Sequence, residues 1–121
     1  MKTLSLLSHM RESAELILER TGETSLQRYL RDRDLQQIVE RNFEIIGEAM
    51  RRLTRHDAAI ADRITDGREI IAFRNLLIHA YDDIDHARVW QVVQRQLPVL
   101  VRELDEIVQS VKLDDREPES S

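Results

Sequence analysis

The chain has 121 residues, of which 41% are apolar and 34% charged, with 3 Gly, 2 Pro and no Cys. That is the length of one domain, apolar enough to bury a core and too poor in turn formers for a many-stranded β fold. Disulfides, thiolate catalysis and thiolate metal sites are excluded, and the net charge of −5 by itself argues against a nucleic-acid partner. No apolar run reaches the roughly 18 residues of a membrane span. The start, Met1-Lys2-Thr3-Leu4, lacks the apolar stretch and cleavage site of a signal peptide. A cytoplasmic protein with no membrane contact is therefore expected.

An amphipathic helix fits Leu4 to about Arg20, with Gly22 as its stop signal. Leu35, Ile38, Val39, Asn42, Ile45, Ile46, Ala49, Met50 and Leu53 recur at three- and four-residue spacing and form one stripe of a second helix. Asp34 followed by Gln37 reads as its capping box. Gly47 inside this helix would cost about 1 kcal/mol and is explained if another helix must approach closely there. A third helix should start after Asp66, with Glu69 reaching back to the cap, and carry Ile70, Ile71, Phe73, Leu77 and Ile78. Asp82-Asp83 should end it and cap the next. Val93, Leu97, Leu100, Leu104, Ile107 and Val111 step by four and three along a last helix, a seam read as core with part shared with a dimer surface. Pro98 lies inside it and should bend it. The expected fold is all-α, an antiparallel up-and-down four-helix bundle with short extra helical turns. One domain should span 1–112, with 113–121 a frayed acidic tail.

The charge is unevenly placed. From Glu103 onward there are 7 acids and 2 bases, so this end carries the whole surplus and the first 102 residues hold 16 of each sign. Of the 18 bases 16 are Arg, which binds phosphate bidentately as Lys cannot. Between Arg28 and Arg55, Arg28, Arg31, Arg33, Arg41, Arg51, Arg52 and Arg55 face 5 acids. These read as surface charges by default, and as the segment from which an RNA groove would be lined. His9 and His56 read as solvated.

Chemistry concentrates in Arg74-Asn75-Leu76-Leu77-Ile78-His79-Ala80-Tyr81. Asn75 and His79 are four apart and share a helical face. Arg74 lies about 140° round from His79, with a side chain long enough to turn back towards the imidazole. Tyr81 follows the expected helix end. A cation, an amide, an imidazole and a hydroxyl within about two turns suit phosphodiester chemistry, because His moves protons near neutral pH and Arg stabilises charge on phosphate oxygens. The plain alternative is a packed His beside a solvated Arg-Asn pair. His79, Asp82, Asp83 and His86 match no common zinc spacing, and no metal or other cofactor is expected.

Arg74-x4-His79-x-Tyr81 resembles the Arg-x4-His-x-Tyr motif of the HepT-like toxins, a branch of the HEPN superfamily of helical ribonucleases. Arg41-Asn42-Phe43-Glu44-Ile45-Ile46-Gly47-Glu48-Ala49 is similar to the family's second-helix signature, and Ile84 to Leu100, with Val89-Trp90 and Leu97-Pro98, to its last helix. The resemblance covers roughly residues 1–112. It implies a homodimeric, metal-independent endoribonuclease, the toxin of a toxin–antitoxin pair, with transfer RNA and messenger RNA both open as substrates. It further implies Arg74 and His79 as catalytic residues, with Asn75 in support. It also implies a cognate minimal nucleotidyltransferase antitoxin (MntA-like) that silences the toxin by AMPylation of Tyr81. Two rival readings remain: a non-catalytic helical partner and regulatory substrate of a nucleotidyltransferase, and a plain dimerisation module.

Overall fold

The structure, a computed structural model, describes residues 2–80 and 82–116, with side chains to residue 114. Among these described residues six helices follow in order: α1 (Lys2–Thr21), α2 (Leu26–Tyr29), α3 (Arg33–His56), α4 (Ala58–Ala61), α5 (Gly67–Ala80) and α6 (His86–Arg116). Among the described residues there is no strand. The all-α bundle expected from the apolar spacing is therefore present, with α2 and α4 as its single-turn additions.

The stripes read from the sequence are the surfaces that meet. Leu7, Met10, Ala14 and Ile17 of α1 face Val39, Ile46, Met50 and Leu53 of α3, all essentially without solvent contact. Val93, Leu97, Leu100, Leu104 and Ile107 of α6 are buried, so the seam is core along that length. Arg11 on α1 reaches Asp105 on α6 at 2.8 Å. Pro98 sits inside α6 on its exposed side, so the helix hydrogen bond it cannot donate is lost at the surface and not in the core.

Helix α5 is held differently. It packs chiefly on α3, burying Phe73 and Leu77. The rings of Phe73 and Phe43 meet edge to face at 5.1 Å, a favoured aromatic arrangement. Its other side stays open.

Two expected caps fall elsewhere, and a third acts through its backbone. Asp32, not Asp34, caps α3, its Oδ1 accepting from the Leu35 amide at 3.0 Å. Asp34 is already helical, so its carboxylate cannot swing back over the end. Asp66 serves α5 through its backbone carbonyl, which accepts from Ile70 at 2.9 Å. Asp85, not Asp82 or Asp83, caps α6, its Oδ1 accepting from the Arg88 amide at 3.1 Å. The cap must stand three residues before its donor, and the chain needs residues 82–85 to turn between the helices. Helix α6 continues to Arg116, past the expected domain end at 112, and residues 117–121 of the expected tail lie outside the described residues.

Candidate active site

Gly47 determines how Arg74 is placed. A Cβ on Gly47 would lie 2.2 Å from Arg74 Cβ and 2.6 Å from its Cγ, distances no pair of carbons tolerates. The missing side chain lets α5 settle on α3 at Arg74, which accounts for a glycine in a helix interior. The stem of Arg74 crosses this contact, and its guanidinium emerges beside Glu48, the next residue on α3.

Glu48 gathers three arginines. Arg51 donates from Nε and Nη2 to its two carboxylate oxygens at 3.0 and 2.9 Å. Arg52 Nε donates to Oε2 at 3.0 Å, and Arg74 Nη2 stands 3.3 Å from Oε1. The hydrogen bonds from Arg51 pull the Glu48 carboxyl from 4.5 down to about 2, against the opposing effect of partial burial, with Arg52 and the charge of Arg74 adding to the pull. One carboxylate against three guanidiniums leaves the cluster net positive. Arg74 also donates from Nη1 to Asn75 Oδ1 at 2.9 Å. Its side chain is only 25% exposed, and its Nε is buried without a partner among the described residues.

The predicted site residues thus separate into a joined pair and a free group. Arg74 and Asn75 are hydrogen-bonded to each other. His79 is exposed one turn further on. The guanidinium turns to Glu48 rather than to the imidazole, because the Gly47 contact directs the Arg74 stem along α3. Tyr81 lies outside the described residues. Asn75, Leu76, Ile78 and His79 together form the uncovered side of α5, with Leu76 47% and Ile78 36% exposed. Among the described residues, no three His, Asp or Glu side chains cluster as metal ligands would, and His86 is directed at Glu40 instead.

A cleft of about 290 Å³ opens beside Arg74, between α1, α3 and α5, and His9, Arg41, Arg52 and Glu48 help to line it. His9 had read as a solvated surface residue. It is exposed, but it shares this cleft with the motif arginine. No spacing in the sequence links the two, since only the packing of α1 on α3 brings them near. Glu48 stood within the second-helix signature, and the reason for Gly47 beside it was the available clue to its partner.

Residues 10–107 match the HepT-like ribonuclease family. A protein of Thermococcus cleftensis named "Probable ribonuclease HepT" is 35% identical over 94 residues, covering 78% of this chain and 84% of that protein. "Putative RNase TTE0752" of Caldanaerobacter subterraneus subsp. tengcongensis is 28% identical over 106 residues, covering 88% of this chain and 94% of its own length. A Methanocaldococcus jannaschii protein named "Gamma-glutamylcyclotransferase and putative RNase MJ0434" is 32% identical over 105 residues, and the chain spans 47% of it. With the match running through all four long helices, the chain belongs to the HepT-like ribonuclease family.

Proposed function

We propose that this protein is a metal-independent endoribonuclease and the toxin of a toxin–antitoxin pair, acting as a homodimer whose cleft joins two copies of Arg74 and His79. The observation that carries this reading is the open side of α5. There the exposed Asn75 and His79 alternate with the exposed apolar Leu76 and Ile78, while the opposite side is fixed on α3. A two-fold partner laid on this surface would cover the apolar groups and place the two polar sets against each other.

The chemistry then needs nothing beyond these side chains. One imidazole takes the proton of a ribose 2′-OH as that oxygen forms a bond to the adjacent phosphorus. The P–O5′ bond breaks, and the second imidazole protonates the departing oxygen. The products are a 2′,3′-cyclic phosphate and a 5′-hydroxyl. Arg74 stabilises the charge that builds on the non-bridging oxygens, and Asn75 holds its guanidinium in place. Silencing would follow when the Tyr81 oxygen attacks the α-phosphorus of ATP on the nucleotidyltransferase, releasing pyrophosphate and losing its proton to a base. The attached phosphate would then compete for Arg74 and block the cleft.

Expression of the chain in a bacterium tests both parts. The wild type should cleave RNA and arrest growth. His79→Ala should keep its fold and dimer yet lose at least about 100-fold in cleavage, the scale of general acid–base catalysis. Tyr81→Phe should stay toxic beside the antitoxin and gain no adenylate by intact mass. Wild-type cleavage by His79→Ala would sink the catalytic assignment, and adenylation of Tyr81→Phe would sink the silencing one.

A further inference from the structure

A cavity of about 320 Å³ lies where the turn after α5 meets the start of α3, lined in part by Arg31, Arg33, Gln37, Glu40, Asp82 and His86. Its size falls within the range of small-molecule sites, about 300–1,000 Å³. Asp82 stands three residues past His79, so the cavity adjoins the end of the motif helix.

Its floor holds a buried polar cluster. Glu40 Oε2 and His86 Nδ1 face each other at 3.3 Å, and both atoms are shut off from solvent. The buried Tyr29 hydroxyl has no partner among the described residues, and its ring is edge-on to His86 at 6.4 Å. Burial, and then the neighbouring charge of Glu44, holds the Glu40 carboxyl above its usual range. A cavity whose wall carries Gln37, Glu40, Asp82 and His86 suits a polar occupant.

The rim has the opposite character. Arg31 and Arg33 are exposed, and Arg28 joins them in the adjoining groove. None of the three forms a salt bridge among the described residues, whereas Arg41, Arg51, Arg52 and Arg74 are each paired with Glu44 or Glu48. Free guanidiniums outside, with amide and carboxyl groups inside, match a nucleotide entering base first.

We propose that this cavity holds a nucleotide of the RNA substrate flanking the cut, its phosphate between Arg31 and Arg33 and its base against Gln37 and Glu40. The proposal rests on the ribonuclease reading. A carboxylate accepts best from a base with two adjacent N–H donors. Guanine offers them and uracil does not, so cut sites with guanine beside them should be preferred.

Binding of short RNA oligonucleotides to His79→Ala protein separates the two ideas, because it needs no cleavage. Arg31→Ala with Arg33→Ala, in a protein of unchanged helicity and melting, should weaken binding about tenfold. It should also lower the slope of log affinity against log salt by about 0.7, one phosphate's worth on a single strand. Glu40→Gln should reduce the preference for a guanine-containing over a uracil-containing oligonucleotide. In the cleaving enzyme the arginine pair should raise KM with little change in kcat. Unchanged affinity, salt slope and base preference would overturn the proposal. Loss of guanosine monophosphate binding with RNA binding intact would also overturn it, in favour of a free nucleotide. A wild type that cuts no RNA, while its oligonucleotide binding still depends on Arg31 and Arg33, would instead overturn the ribonuclease reading and keep the site.

Discussion

At the scale of single residues, Glu48 connects most to the candidate site. It is bound by Arg51, Arg52 and Arg74, and its carboxyl is drawn from 4.5 to about 2 in the folded chain. A carboxyl with a lowered folded value contributes stability that is complete above its unfolded value and lost as pH falls through the folded one. The loss attributable to Glu48 should therefore run from pH 4.5 down to about 2. Glu48→Gln should melt lower than the wild type at pH 7, and the gap should close as pH nears 2. Melting curves across that range check it, and a constant gap would mean that the charge does not matter. Little of this was legible in the sequence. Arg51 and Arg52 lie three and four residues on and could be paired by helical spacing, but Arg74 is on another helix. His9 is harder still, because only the packing of α1 on α3 brings it to the cleft beside Arg74.

At the scale of elements, the α3–α5 contact governs where the motif sits. Gly47→Ala should gain about 1 kcal/mol of helix propensity and lose more to crowding. The new methyl meets Arg74 Cβ, an atom fixed to the backbone, so α5 itself must move. Overpacking of this kind costs about 1–3 kcal/mol. A net loss of about 1 kcal/mol should appear in denaturant unfolding, together with weakened RNA cleavage as Arg74 is displaced. Unchanged stability would show that the helices can part freely. The helices themselves were readable, because apolar residues at three- and four-residue steps leave few other structures. Gly47 was readable too, since a helix keeps so costly a residue for a reason of packing. The caps were not: Asp32, Asp34, Asp82, Asp83 and Asp85 are all competent cap residues, and the choice depends on how many residues each turn consumes.

At the scale of the whole molecule, the charge and the open surface of α5 bear on assembly. Two of the acids at the carboxyl end are used inside the fold: Asp105 binds Arg11, and Glu103 accepts from the Thr65 amide at 3.0 Å. The negative surplus is thus partly a means of fastening α6. The Arg-rich body remains free to meet an anion at the α2–α3 turn and beside Arg74. Leu76→Glu with Ile78→Glu should leave the monomer folded, as both side chains are exposed, while breaking the proposed dimer, because a two-fold interface repeats each new charge. Light scattering should then report half the mass, and cleavage should fall with it. A dimer that persists would place the interface elsewhere. The Tyr29–Glu40–His86 cluster was also invisible in the sequence. Its members come from α2, α3 and α6, and neither of the titratable partners follows a metal or catalytic spacing.

The clamp on Arg74 has a thermodynamic consequence. A free arginine side chain carries about 2 kcal/mol of rotamer entropy, which it must surrender to hold a phosphate. Arg74 is already immobilised by Glu48 at one nitrogen and Asn75 at another, so that freedom is lost during folding and not during the reaction. In the proposed reaction the guanidinium would meet the transition state as a rigid fork. Pre-organisation of this sort is a property of four helix positions, 47, 48, 74 and 75, rather than of the arginine alone.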